Sequence, residues 1–239
     1  MDNSIANISL INLGFAAIPA LWVIWVLFKW SLDGKNALYS IARMLTQLLL
    51  VGYVLSYIFA TDSAWVVIGV LSVMVFASSW IAMGVVKAHR RALYRHALLA
   101  IATGGVIMFV VIMLVVLEVD SWYTPHLAIP IAGMIFANSM NSVSLAAERL
   151  SVELSRGERY LQAKTAALQT AMIPVINSLF AVGLVSLPGM MTGQILSGVS
   201  PLIAARYQIM VMLMIFAASG ISSILFLISA QRVFQPREQ

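Results

Sequence analysis

Asn138, Asn141, Ser142 and Leu145 recur on one helical face of an otherwise apolar run, and Asn177 and Ser178 dilute a second such run. Amides and hydroxyls surrounded by hydrocarbon need partners, so these either hydrogen-bond one helix to another or line a polar path. Neutral amides can hydrate a path or coordinate a cation without burying a charge. Small residues nearby, Gly133, Ala137 and Ser144, offer a close approach to another helix. Arg43 and Gln47 lie one turn apart on a third apolar run. They read either as an arginine snorkelling to the interface beside a neighbour or as a buried site.

Residues 182–201, VGLVSLPGMMTGQILSGVSP, contain no charge, yet the apolar pattern is cut by Pro188-Gly189 and then filled with Thr192, Gly193 and Gln194. A break at membrane depth is tolerated only where protein or water re-satisfies the freed backbone groups, so this segment should face a bundle interior or a cavity. Proline removes a donor and clashes with the preceding turn, which places the break at Pro188-Gly189. Met190 to Gly198, including Met191, should then form a short re-entrant or lateral element that closes the outer side of a path, with Arg206 and Tyr207 beginning the last span.

Other chemistries find little support. The chain has no cysteine, and no phosphate-binding loop, HExxH or GxSxG motif. No catalytic or metal-ligating set is therefore assigned, and any nucleotide must be hydrolysed elsewhere. His126 beside Glu118 and Asp120 reads as a surface loop or a group of metal-ligand types. Met190, Met191, Met210, Met212 and Met214 read as packing filler or a soft-ligand ladder.

The elements that must position these residues are membrane spans. Of 239 residues, 62% are hydrophobic and 10% charged, with a mean hydropathy of +0.96, which excludes an ordinary soluble domain. Seven runs are long enough to cross roughly 30 Å of hydrocarbon. They lie near 8–28, 37–60, 64–86, 97–117, 126–147, 166–187 and 202–230. The expected fold is all-α: a single polytopic permease domain over 1–239, of about seven transmembrane helices, the sixth broken at Pro188-Gly189. The segment before the first run lacks Lys and Arg, so that run is expected to remain as a span rather than act as a secretory signal.

Lys29, Lys35, Lys87, Arg90, Arg91, Arg95, Arg149, Arg156, Arg159, Lys164, Arg232 and Arg237 fall in alternate loops or the tail. The opposite loops carry Asp2, Asp62, Glu118 and Asp120. The positive-inside rule then puts the N-terminus outside and the C-terminus inside. Trp30, Tyr39, Trp65, Trp122 and Tyr123 sit where interfacial aromatic belts belong. The net charge of +5 and pI near 9.7 are thus a topology and lipid-headgroup signal rather than a nucleic-acid one.

Between the fifth and sixth runs, residues 148–164 place Leu150, Leu154, Gly157 and Leu161 on one helical face, with Glu148, Arg149, Glu153, Arg156 and Arg159 around it. The pattern predicts a cytoplasmic helix over 148–163, within a coupling segment at about 148–165. It is either a solvated connector or a helix whose leucines dock on a cytosolic partner.

The blocks IARMLTQLLLVGYVLSYIF at 41–59, IPIAGMIFANSMNSVSLA at 129–146, IPVINSLFAVGLVSLPGMMTGQILSG at 173–198 and P-x(5)-YQIMVMLM at 201–214 closely resemble the FetB-type iron-export permease family, with its plant aluminium-tolerance relatives. The resemblance implies a permease of an ATP-binding-cassette exporter in the cell inner membrane. It implies two copies of the permease, a separate cytosolic ATPase that uses ATP, no covalently bound cofactor, and a metal ion such as iron as cargo. The chain departs from the family in its short stretch from Glu148 to Ala171, where only Arg156-Gly157 offers a turn. A non-metal cargo such as a nucleotide sugar, a secondary transporter, and a non-transporting assembly factor or sensor are the other classes. Secondary transport would require mid-membrane ionisable groups, which the spans nearly lack.

Overall fold

The computed structural model describes residues 9–61 and 63–234, with only the backbone described at Leu10. Asp2, Asp62 and Arg237, used above for orientation, lie outside the described residues. Among the described residues the chain is helical, with one isolated bridge between Val182 and Ser186. It divides into two units, one through Ala60 and one from Thr61 onward.

The first unit is a pair of helices, α1 (Leu10–Lys29) and α2 (Gly34–Phe59). Ser9 and Asp33 cap their N-termini, each accepting a backbone N–H at 3.2 Å, from Asn12 and Asn36. At the corner Lys29 lies over the Trp25 ring, 5.0 Å from its centroid. Nearly every residue on both helices is exposed, as helices surrounded by lipid would be.

The second unit holds α3 (Ala64–Ala82), continued by a 3₁₀ turn to Val85; α4 (Arg90–Val110), ending in a π-helical turn through Val116; α5 (Pro125–Ser155); α6 (Tyr160–Ala181); the short α7 (Gly189–Leu196); and α8 (Pro201–Phe234). Among the described residues six helices are long and apolar enough to cross a membrane. The seventh long helix, α6, carries Gln162, Lys164, Thr165, Gln169, Thr170 and Asn177 and falls outside that set.

Helix α8 is apolar all round, the signature of a helix buried on several sides, and it packs against α4, α5, α6 and α7. Fully buried Ile101, Ile135, Met214, Phe226 and Leu227 fill the space between. The close approach expected at Gly133, Ala137 and Ser144 is found mainly elsewhere. A Cβ at Gly104 would overlap the Ser222 hydroxyl and stand 3.1 Å from its backbone nitrogen, and one at Gly105 would overlap the Phe136 ring. Beside this seam Ser222 donates to Ser139 Oγ at 3.2 Å, and Ser139 donates to the Ala218 carbonyl at 3.3 Å. Gly133 instead faces Met74 of α3, while Ala137 is exposed.

Several helices outrun their apolar runs at one end: α5, with 31 residues, is about 46 Å long against roughly 30 Å of hydrocarbon. That end is basic. His89 meets Phe234 edge-on at 5.5 Å, Tyr160 donates to the Leu227 carbonyl, and Arg159, Lys164 and Gln231 border one cavity of about 220 Å³. The starts of α4 and α6 and the end of α8 therefore converge with their Lys and Arg.

The single helix expected over 148–163 does not form. Helix α5 stops at Ser155, Gly157 takes φ +87° where a side chain would be strained, and α6 starts at Tyr160. Leu150, expected on an outward face, is fully buried in the core, Leu154 packs partly against it, and only Leu161 stays exposed, at 68%. The intervening turn changes the helical phase, so leucines that share a face on an unbroken helix point in different directions.

Candidate functional site

Helices α5, α6 and α8 border a half-open cavity of about 430 Å³, flanked on its fourth side by the segment between α6 and α7. Asn138, Asn141 and Ser142 line it from α5, and Ser178 lines it from α6. Their convergence follows from spacing: positions three and four apart on α5 meet one groove. Asn177 does not line it; one residue turns a helix by about 100°, and Asn177 points away, exposed.

The polar atoms are unequally committed. Asn138 donates its Nδ2 to the Met134 carbonyl at 2.8 Å, which leaves its oxygen to offer. Ser178 donates to the Pro174 carbonyl at 2.9 Å, one turn back on the same helix, and keeps its lone pairs. Gln208, on α8, lines the cavity at 5% exposure, and its Oε1 is buried without a hydrogen-bond partner. Met134, Met190 and Met212 supply thioethers to the same wall.

The flanking segment is ordered by its own backbone. Helix α6 ends at Ala181, whose carbonyl accepts from the amides of Leu184, Val185 and Ser186 at 2.8–3.2 Å. Gly183, at φ +83°, makes this turn possible, and its amide donates to the Ser186 carbonyl at 3.0 Å. Several of the backbone groups freed by the break are thus re-bonded within the chain. The break expected at Pro188-Gly189 is present, but it opens at Val182, and Pro188 is the N-cap of α7.

Pro188, Gly189 and Met190 line the cavity. Met191 lines a neighbouring apolar cavity of about 320 Å³, which shares Val182, Gln208 and Met212 with the first. Thr192, Gly193 and Gln194 face neither; Thr192 donates to the Pro188 carbonyl at 3.1 Å, holding the first turn of α7. Helix α7 ends at Leu196, and Gly198, at φ +89°, turns the chain before Pro201 opens α8.

Arg43 and Gln47 belong to the first unit, where both are exposed on α2. Glu148 is exposed near the end of α5, and one turn on Glu153 is buried between Arg149 at 2.6 Å and Arg156 at 3.4 Å. Among the described residues no group of three or more His, Cys, Asp or Glu is placed to hold a metal ion. Gln208 escaped sequence reasoning because a lone amide in the apolar string YQIMVMLM has no polar neighbour at helical spacing to mark its face.

The chain is similar in sequence to several known membrane proteins. The UPF0014 membrane protein slr1647 of Synechocystis is 31% identical over 94% of this chain and 93% of its own. The probable iron export permease protein FetB of Escherichia coli is 34% identical over 80% of this chain and 78% of its own. Protein ALUMINUM SENSITIVE 3 of Arabidopsis thaliana is 34% identical over 81% and 75%. No solved structure matches. With the family profile matching residues 10–234, a span that takes in every helix of both units, this multi-pass membrane protein belongs to the uncharacterised protein family UPF0014.

Proposed function

We propose that the chain is the permease subunit of an ATP-binding-cassette exporter in the cell inner membrane, exporting iron or another metal ion with ATP hydrolysed by a separate cytosolic subunit. The observation that carries this reading is the cavity, a half-open and mainly apolar groove onto which amides and hydroxyls of α5, α6 and α8 converge, bordered by a broken helix that re-bonds part of its freed backbone. A relative named as a probable iron export permease supplies the cargo. The chain is read as no enzyme itself and as working in two copies.

Helix α6 runs antiparallel to α8, from Tyr160 beside Leu227 to Val182 beside Gln208, so it traverses the depth that α8 traverses. Counting it as a crossing gives seven spans, the N-terminus outside and the basic end in the cytoplasm. The surface offered to the ATPase is then the corner between α5 and α6: exposed Arg156, Gly157, Glu158, Arg159 and Leu161, braced by the Glu153 ion pairs. A non-metal cargo is the second reading, favoured by a lining that carries no charged side chain. The test is co-reconstitution with the ATPase in proteoliposomes. ATP-dependent iron movement supports export of the metal; ATP-dependent movement of another solute, with iron left behind, supports the second reading.

A further inference from the structure

We propose that Gln208 is a ligand-contact residue of the cavity, and that the species it meets is electrically neutral, as a metal ion balanced by its own ligands is. The proposal rests on the transport reading and narrows its substrate class. Gln208 is buried, yet its Oε1 has no partner in the protein. A buried carboxamide oxygen left unpaired is costly, so the fold keeps it against its own stability unless something else completes it. It stands in the wall shared by the two cavities, the first of which the α5 amides also line.

The remaining polar lining fixes the class. Asn138 offers an oxygen, Asn141 a free amide, Ser142 and Ser178 hydroxyls, and the methionines thioethers, all without formal charge. Oxygen-seeking di- and trivalent cations are held by carboxylates, and burying one bare among neutral groups carries a desolvation penalty that this lining does not offset. A chelate whose ligands have already neutralised the metal avoids that penalty. It still presents edges that hydrogen-bond to amides, and a volume near 430 Å³ is in the range of small-molecule sites.

The experiment uses the full chain with Ser178→Cys as its single cysteine, in vesicles, labelled by a water-soluble maleimide. Two compounds are tried as protectants: Mn²⁺ alone, and tris(acetohydroxamato)iron(III), a neutral chelate, in excess acetohydroxamate. We expect the chelate to slow labelling and Mn²⁺ to have no effect. Gln208→Leu should weaken chelate protection about tenfold or more while raising Tm by about 2–4 °C, because an unpaired buried group is removed. Gln208→Glu should confer saturable protection by Mn²⁺.

Saturable protection of the otherwise unaltered lining by Mn²⁺, lost in Gln208→Leu, overturns the neutral class and leaves the transport path standing. A fall in Tm for Gln208→Leu shows that the carboxamide serves packing and overturns its contact role. If the thiol introduced by Ser178→Cys is unreachable from either face of the membrane, the transport path itself fails.

Discussion

Tyr160, the first residue of α6, donates its hydroxyl to the backbone carbonyl of Leu227 in α8. The bond fastens the entry of α6 to the far part of α8, and the antiparallel run that follows brings Ser178 opposite Gln208 across the cavity. Tyr160→Phe keeps the ring and removes the donor. It should lower stability by about 0.5–1.5 kcal/mol, read as a drop in Tm in detergent. An unchanged Tm would mean that ring packing alone sets the start of α6.

Two glycines separate the close seam from ordinary helix positions. Gly69, in α3, has nothing within 4 Å of where a Cβ would sit, so Gly69→Ala should stabilise by roughly 0.5–1 kcal/mol through helix propensity. At Gly104 the same change meets the Ser222 backbone and should destabilise by about 1–3 kcal/mol. Thermal unfolding of the two variants side by side checks the opposite signs.

At the end of α6 it is Gly183, not Pro188, that takes the left-handed backbone. Gly183→Ala forces an alanine to φ +83° and should cost about 1–2 kcal/mol. Replacing Pro188 and Gly189 together by Ala should leave the end of α6 at Ala181, since the Ala181 carbonyl contacts do not involve them. Amide hydrogen exchange through 182–198 reads the difference: protection extending continuously from α6 into α7 in the double variant would show that Pro188 holds the break.

What the sequence made legible is what hydrocarbon imposes. The seven apolar runs each became a helix because a backbone without water must bond within itself, and the α5 amides met one groove because helical spacing put them on one face. Helix ends were misplaced where the solvent changes, since α4, α5, α6 and α8 continue past the apolar boundary on polar residues that remain good helix formers. Leu150, Leu154 and Leu161 shared a face only on a helix that Gly157 interrupts. Gln208 was silent because one amide makes no pattern; its meaning lies in the groups that other helices carry to it.

The α5–α6 corner gives a contrast between docking and folding. Leu161→Asp alters an exposed side chain and should leave stability within about 0.5 kcal/mol of the parent while abolishing co-purification with the ATPase. Leu150→Asp buries an unpaired carboxylate and should prevent folding. Undiminished co-purification of the Leu161 variant would remove this corner as the coupling surface.

The central claim, that the cavity among α5, α6 and α8 is the transport path, is tested most directly by ATP-dependent iron efflux from proteoliposomes holding the permease and its ATPase, with Asn141→Leu compared to the parent. Asn141 is exposed to the cavity and holds no hydrogen bond within the fold, so its loss should spare Tm and ATPase binding. Efflux should fall about tenfold. Normal efflux from a variant with unchanged stability, or a large loss of stability with normal specific transport, would contradict the account and make the α5 amides interhelical glue.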